Sequence, residues 1–390
     1  MTLDRSELKL ILGALAGVCL SNFTIFSAPL YIGGLMDGMG FDEIQAGLTI
    51  TLEIGAVASV TLLLSNWLDR VSLRYLAMAG VMVLLLANMV TFYIDDYAAI
   101  LISRTLAGAG AGLCLAASSA LLGRMSDPDR VMGMLLAINT LVMVLMLMLM
   151  GYAKSRWMFN GFVGPFTLTV VVLSPFLLLI PAQPFSTGPK EQKNAAGVDH
   201  HLALGSLGVG LLFFFCVIEG CVWAFSERSG INLGMDEGDI GMLLALAQIA
   251  SLAGATLAAV FGEKIPRVFP ISIGIILMGS SGLMIYQTQS TLIYSASLAS
   301  FGFGFFIAFP YLVGACARLD PDGRWAARAT GINLMGGAIA PFIAGNIISA
   351  SNYQALGRFC LGLALFCLAL TLLFNHQMNR ANIGTTVKAA

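Results

Sequence analysis

Residues 40–47 read G-F-D-E-I-Q-A-G, and after an apolar run residues 68–73 read L-D-R-V-S-L. The pattern returns 194 positions later, where 234–241 read G-M-D-E-G-D-I-G and 262–267 read G-E-K-I-P-R. Gly40, Asp42, Glu43 and Gly47 fall on Gly234, Asp236, Glu237 and Gly241, and the pair Asp69-Arg70 falls on Glu263-Lys264. The same offset carries Gly80 to Gly274, Ser103 to Ser297, Gly108 to Gly302, Gly110 to Gly304, Arg124 to Arg318, Arg130 to Arg324, Asn139 to Asn333 and Gly151 to Gly345. Any one match is weak in a glycine-rich chain. A single offset held over more than half of each copy marks a duplicated unit.

Hydrophobic residues make up 58% of the chain and charged residues 11%, against about 25% charged in soluble domains. Such a chain cannot cover a water-facing surface and is read as a membrane protein whose surroundings are the lipid bilayer. The net charge of −1 gives no reason to expect a nucleic-acid partner. The seven cysteines lie in apolar runs without a C-x-x-C pair, which predicts packing residues rather than disulfides or metal ligands. The histidines, His200, His201 and His376, sit at span edges. No metal, cofactor or enzymatic constellation is expected, because no nucleophile, base and orienter occur together.

A spanning helix needs about 20 apolar residues and a barrel strand about ten. Twelve helical spans fit, at 8–34, 43–67, 73–94, 97–122, 130–153, 159–181, 202–228, 237–261, 267–287, 290–317, 325–350 and 354–376. The fold class expected is an all-α membrane protein of two six-helix bundles related by a parallel pseudo-two-fold repeat. The first bundle takes 1–181, a polar linker takes 182–201, and the second bundle with a short tail takes 202–390.

Basic residues gather in the loops on one side, among them Arg70, Arg74, Arg124, Arg130, Lys264, Arg267, Arg318 and Arg324. That side is expected to be cytoplasmic, with both termini there, in a cytoplasmic (inner) membrane. The opposite side is acidic, yet Lys154, Arg156, Arg228 and Arg358 also lie on it. Nothing in the sequence accounts for Lys154 and Arg156.

Paired bundles joined by a cytoplasmic linker resemble the major facilitator superfamily over nearly the whole chain. Residues 65–74, S-N-W-L-D-R-V-S-L-R, look like its motif between spans two and three, with Asp69, Arg70 and Arg74 matching and Ser65 and Ser72 where glycine is usual. Arg104 followed by Gly108 and Gly110 looks like the fourth-span motif. The fifth-span glycine–proline motif of many antiporters is missing, and a relative of it stands in span eleven as Gly336, Gly337, Pro341 and Gly345. The resemblance implies a secondary transporter working by alternating access.

An ion at mid-bilayer costs about 2.5–3.5 kcal/mol on insertion scales and needs a partner or a watery cavity. Glu53, Arg104 and Glu219 all fall about 10–15 Å below the acidic side by helix rise. Arg104 is expected either to anchor an anionic solute or to pair with Glu53 and lock spans two and four. Glu219 shares a helix face with Phe215 and Trp223 at i, i+4 and i+8 spacing. An isolated carboxylate among aromatics is poised to gain and lose a proton, because desolvation disfavours its charged form. Glu219, with Glu53, is therefore the candidate for proton coupling. Asn22, Asn139, Asn333 and Gln248 are polar centres of their spans, and each serves either as helix glue or as a solute contact.

The candidate solute-binding set is Arg104, Asn22, Trp223, Phe215, Asn139, Asn333 and Gln248. The candidate gating set is Asp69, Arg70, Arg74, Glu263 and Lys264, expected to bridge the halves on the cytoplasmic side. The function expected is proton-coupled uptake of a small organic solute, either an amphiphilic organic acid or, fitting almost as well, a neutral or cationic compound recognised by the glutamates. Proton-driven export of hydrophobic compounds and a non-transporting receptor on the same frame are the alternatives.

Overall fold

The computed structural model describes residues 5–64, 67–68, 70–122, 125, 128–157, 160–182, 202–319 and 324–387. These residues form thirteen α-helices and one 3-10 turn. The first bundle holds α1 (Arg5–Met39), α2 (Glu43–Leu64), α3 (Leu73–Tyr93), α4 (Tyr97–Leu122), α5 (Pro128–Trp157) and α6 (Asn160–Leu177). The second holds α7 (Leu202–Ala224), the short α8 (Ser226–Asn232), α9 (Glu237–Phe261), α10 (Val268–Gln287), α11 (Thr291–Ala317), α12 (Arg324–Ala350) and α13 (Tyr353–Val387). Eleven stretches are long and apolar enough to cross a bilayer, α7 and α8 counting as one, and α6 adds a shorter apolar helix. The face bearing the start of α1 is called the near face, and the opposite one the far face.

The repeated octapeptide is the far-face turn that opens each bundle. Gly40 and Gly234 both adopt positive φ, at 69° and 77°, the left-handed conformation that ends a helix and that glycine reaches without strain. Two residues later an aspartate caps the next helix. The Asp42 carboxylate accepts from Gln45 N at 2.7 Å while the Gln45 side chain accepts from Asp42 N at 3.2 Å, a reciprocal capping box. The Asp236 carboxylate accepts from Gly238 N at 3.1 Å.

Duplication is also written in the close approaches between helices. A Cβ on Gly80 would strike the carbonyl of Gly110, and one on its repeat mate Gly274 would strike the carbonyl of Gly304. Likewise Gly108 lies against the backbone of Glu53, and Gly302 against that of Ala247. Small residues let helix backbones come this close where lipid provides no hydrophobic drive.

The two bundles meet through α2 against α12 and α5 against α9. The two seams use repeat-related glycine contacts, two in each. Gly47 abuts the Pro341 carbonyl, and Gly241 abuts the Leu147 carbonyl; Gly345 abuts Glu43, and Gly151 abuts Glu237. All of these glycines lie in the far-face halves of their helices. One further bond crosses the first seam, from Phe342 N to Thr51 Oγ1 at 3.1 Å.

Span seven was expected as one helix over 202–228, but it breaks at Phe225 and resumes as α8. Hydroxyl groups take up the carbonyls near the break. Tyr286 of α10 donates to Val222 O at 2.8 Å, and Tyr294 of α11 donates to Ser226 O at 3.0 Å. With those acceptors satisfied by side chains, the chain turns without leaving buried carbonyls unpaired.

All seven cysteines are buried thiols, so an introduced cysteine can report accessibility. Replacing Gly241 with Leu is expected to prise α9 off α5 and open the far face. A cysteine at Asn22, in the space between the bundles, should then react with an impermeant maleimide from the far side about tenfold faster, a shift of ~1.4 kcal/mol; an unchanged rate would contradict this account of the seam.

Candidate functional site

Beneath the far-face turns the two bundles are tied by ions. Lys154, near the end of α5, has a side chain only 1% exposed. Its ammonium reaches Glu227 Oε1 at 2.7 Å, Glu237 Oε1 at 3.1 Å and Asp37 Oδ2 at 3.2 Å. Arg228 of α8 makes a two-pronged bond to Asp37 of α1, at 2.7 Å and 2.5 Å, and its other edge holds Glu227 at 2.5 Å and 2.8 Å. Charge-assisted forks of this kind fix geometry as well as supplying energy. Asp37 and Lys154 come from the first bundle; Glu227, Arg228 and Glu237 come from the second. Gly33 of α1 leaves the space, because a Cβ there would overlap the Glu227 and Arg228 side chains.

Oxygens of Asp37, Glu227 and Glu237 lie within 4.8 Å of one another, a spacing that could hold a metal ion. The Lys154 ammonium already bonds to all three and takes the cation's place. This network resolves the exception at Lys154: its position on the acidic side is where three carboxylates need a countercharge. Arg156, the other exception, lies over the Tyr152 ring at 4.8 Å, a cation–π contact. The break at Phe225 is what turns Glu227 and Arg228 toward α1. The sequence signal for the network was the pair of basic residues, Lys154 and Arg228, on the acidic side.

Apart from this network, Arg104 and Glu53 form a buried ion pair at 3.8 Å, with both side chains 1% exposed. Arg104 Nη2 also donates to Asn88 Oδ1 at 2.8 Å, and Glu53 Oε1 accepts from Thr24 at 2.8 Å. Tyr31 lies beside both charges. The guanidinium carbon sits 5.9 Å from the centre of the Phe166 ring, which stacks on Phe23 at 4.2 Å. Every one of these groups belongs to the first bundle. Depth along the helix placed Arg104 and Glu53 in a common band with Glu219, but the pair points into its own bundle and does not reach the space between the halves in this conformation.

That space is lined from α1 and α7. The Trp223 indole N–H donates to the α1 carbonyls of Ile25 at 3.1 Å and Phe26 at 3.2 Å, across the two bundles. One turn nearer the near face lie Asn22 on α1 and Glu219 on α7, both part-exposed. A further turn along α7, Phe215 is buried and stacks on Phe305 of α11 at 5.2 Å. Glu219 therefore lies on a stripe whose upper neighbour touches α1 and whose lower neighbour touches α11. It makes no hydrogen bond or ion pair among the described residues.

The remaining expected residues are scattered. Asn139 is buried in α5, its Oδ1 without a hydrogen-bond partner. Asn333 of α12 accepts from the Cys216 thiol at 3.0 Å. Gln248 is buried on α9, its Oε1 also unpartnered; it lies two turns below Gly241, on the side facing α5. On the near face Arg70 and Lys264 are exposed, and Arg74 donates to Ile180 O at 2.5 Å within its own bundle. Arg74 thus ties α3 to the end of α6 rather than reaching the other half. Asp69 and the side chain of Glu263 lie outside the described residues.

The family model described as Major Facilitator Superfamily matches residues 12–227. Among solved structures, a point mutant of the nucleoside transporter NupG superposes with a TM-score of 0.76 at 12% identity, covering 95% of this chain and 100% of that one. A bacterial homologue of the human lysosomal transporter Spinster, inward-facing and unoccupied, gives 0.68 at 12% identity, covering 96% and 95%. A POT family transporter in complex with a thioalcohol-conjugated peptide gives 0.68 at 14% identity, covering 96% of each chain. A search of curated proteins finds no match.

If the Arg104–Glu53 pair is a lock inside the first bundle, removing one partner strands a buried charge, at a cost of about 3–5 kcal/mol. Arg104→Met is expected to lower the thermal midpoint in detergent sharply, and the Glu53→Leu/Arg104→Met double variant should recover most of that loss. Independent, additive effects of the two substitutions would refute the lock.

Proposed function

Because the chain belongs to the major facilitator superfamily, a family of transporters, we propose that it is a secondary active transporter that moves a small organic solute across the cytoplasmic membrane by alternating access. The observation that carries this reading is the asymmetry of the closure. The ionic network, the four glycine contacts and the Trp223 bond all join the bundles in their far-face halves, while Asn22 and Glu219 just beneath remain part-exposed. With the near face and both termini cytoplasmic, as the basic loops indicate, this is an inward-facing conformation with its outer gate shut. The gate is the knot of Asp37, Lys154, Glu227, Arg228 and Glu237.

A proton gradient drives the cycle in this reading, and Glu219 is the group that titrates. Among the described residues it is a part-exposed carboxylate beside the contact between α1 and α7 that no side chain holds. Glu53 has its countercharge in place and serves the first bundle instead. The organic-acid expectation rested on Arg104 as an anchor, and its guanidinium is occupied by Glu53 and Asn88, so support for an anionic solute falls away. The nucleoside and peptide transporters that share the fold do so at 11–14% identity, which carries no solute over to this chain.

The gate makes the prediction. Lys154→Met leaves Glu237 without a cation and Asp37 and Glu227 with Arg228 alone, which costs about 3–5 kcal/mol in the closed state. The variant should populate an outward-open form, seen as faster far-side labelling of a cysteine at Asn22 and slower near-side labelling. Equal labelling from both faces in wild type and variant would dismiss the gate. Glu219→Gln is expected to abolish solute accumulation driven by a pH gradient while leaving the labelling response intact.

A further inference from the structure

On the near face the second copy departs from the first in shape and in charge together. Residues 64, 68, 73, 116 and 117 of the first copy are Leu, Leu, Leu, Ala and Ala. Leu73, Ala116 and Ala117 are buried, and Leu68 packs against the core. Their repeat mates are Ala258, Gly262, Arg267, Pro310 and Tyr311. Two leucines have become alanine and glycine, and a third has become arginine. Those five mates line a cavity of about 170 Å³ between the end of α9, the start of α10 and the near-face part of α11. One water needs only about 10–15 Å³, so a phosphate group and its ester links have room.

The cavity is set among cations. Arg267 lines it, with its guanidinium 3.8 Å from the Cβ position of Gly314 on α11. Lys264, exposed, ends the 3-10 turn that joins α9 to α10. Arg318, also exposed, follows Gly314 by one turn, on the stripe that begins at Pro310. No lining residue is acidic. The Ala258 carbonyl, near the end of α9, is taken up by the Tyr311 hydroxyl at 3.3 Å and by the Gly262 N–H.

The surroundings are apolar. Val260 and Phe261 on α9 and Phe269 and Ile273 on α10 are exposed, as is Pro310 at the cavity itself. In a membrane protein such side chains face lipid. A soluble anion answers the cations alone, whereas an anion carried on acyl chains answers both features. Basic pockets between spans at the membrane surface suit anionic head groups, and a guanidinium fork matches phosphate geometry.

We propose that this cavity binds the phosphodiester head of an anionic phospholipid. Arg267 contacts the phosphate, Lys264 and Arg318 stand at the mouth, and the acyl chains lie along the exposed faces of α9 and α10. A zwitterionic head brings an ammonium toward the same three cations and is disfavoured. The site lies wholly within the second bundle, so it does not depend on the rocking motion proposed above.

The test measures equilibrium retention of radiophosphorus-labelled phosphatidylglycerol, phosphatidylcholine with the same chains, and inorganic phosphate by the immobilised full chain in micelles of a neutral detergent. The expected result is one phosphatidylglycerol per chain, held about tenfold more tightly than phosphatidylcholine, and no retention of inorganic phosphate. Lys264→Gln should weaken phosphatidylglycerol binding about fivefold. Arg267→Leu, which restores the residue of the first copy, should weaken it at least as much, and Arg267→Lys less. Ala258→Leu fills the cavity without altering charge and should abolish the preference. If Arg267→Leu does not fold, Lys264→Gln and Ala258→Leu decide the matter. Equal binding of the two lipids, a preference unchanged in either Lys264→Gln or Ala258→Leu, or displacement of the lipid by inorganic phosphate overturns the proposal.

Discussion

An ammonium buried away from water needs opposite charge close on several sides, and Lys154 has three carboxylates within 3.2 Å. Two of those carboxylates come from the other bundle. The far-face closure therefore depends on a group that neither bundle can satisfy alone. The glycine seams bring backbones together but are directionless; they would slide or hinge without cost to any ion. The ionic knot adds a specific registration of α1 and α5 against α8 and α9. It can do so because the chain breaks after Ala224, which lets Glu227 and Arg228 leave the axis of α7 and reach Asp37.

The frame is symmetric and the chemistry is not. Glycine contacts repeat at the 194-residue offset within each bundle and again at both seams. Of the buried ions, only Glu237 has a charged mate, Glu43. The mates of Asp37 and Lys154 are Ile231 and Ile348, and those of Glu227 and Arg228 are Gly33 and Gly34. Gly33 is the residue whose missing side chain makes room for Glu227, so divergence at one repeat position supplied the ion in one copy and the space for it in the other. Glu53, Arg104 and Glu219 correspond to Ala247, Leu298 and Ile25. A duplicated scaffold whose buried charges mostly lack charged mates supports a motion that is symmetric and a site that is specific.

Helices, repeat and bundle assignment were legible because they rest on period and composition, which are local. The quoted octapeptide reads in sequence only as a repeat; the structure adds that its glycine ends one helix and its aspartate, two residues later, caps the next. Depth was legible from rise per residue, which is why Glu53, Arg104 and Glu219 were grouped. Azimuth was not. Which side of a membrane helix faces its own bundle and which faces the cleft depends on neighbours far off in sequence, and here that divides the three residues into a buried pair and an open carboxylate. The network escaped for the same reason: Lys154 was visible as a misplaced cation, but its partners lie 117 and 73 residues away. The break that aims Glu227 and Arg228 has its carbonyls bonded by Tyr286 and Tyr294, hydroxyls on helices that follow later in the chain.

A gate must open as well as close, and the pairing pattern lets it. When the bundles part, Lys154 keeps Asp37 on its own side at 3.2 Å, and Arg228 keeps Glu227 on its own side at 2.5 Å. Each cation loses partners across the seam without being stranded. Glu237 alone loses its countercharge, and it is already 18% exposed at the far face, where water replaces the lost bond at little cost. Had Lys154 faced only the opposite bundle, opening would leave a lone ammonium in a dry site, and the closed state would be a trap. Retained pairs lower that penalty and keep the two states close enough in free energy for a small bias to move the population. Glu219 sits about two turns below this knot on the helix that bends into it, where, under the function proposed above, relief of its charge would supply such a bias.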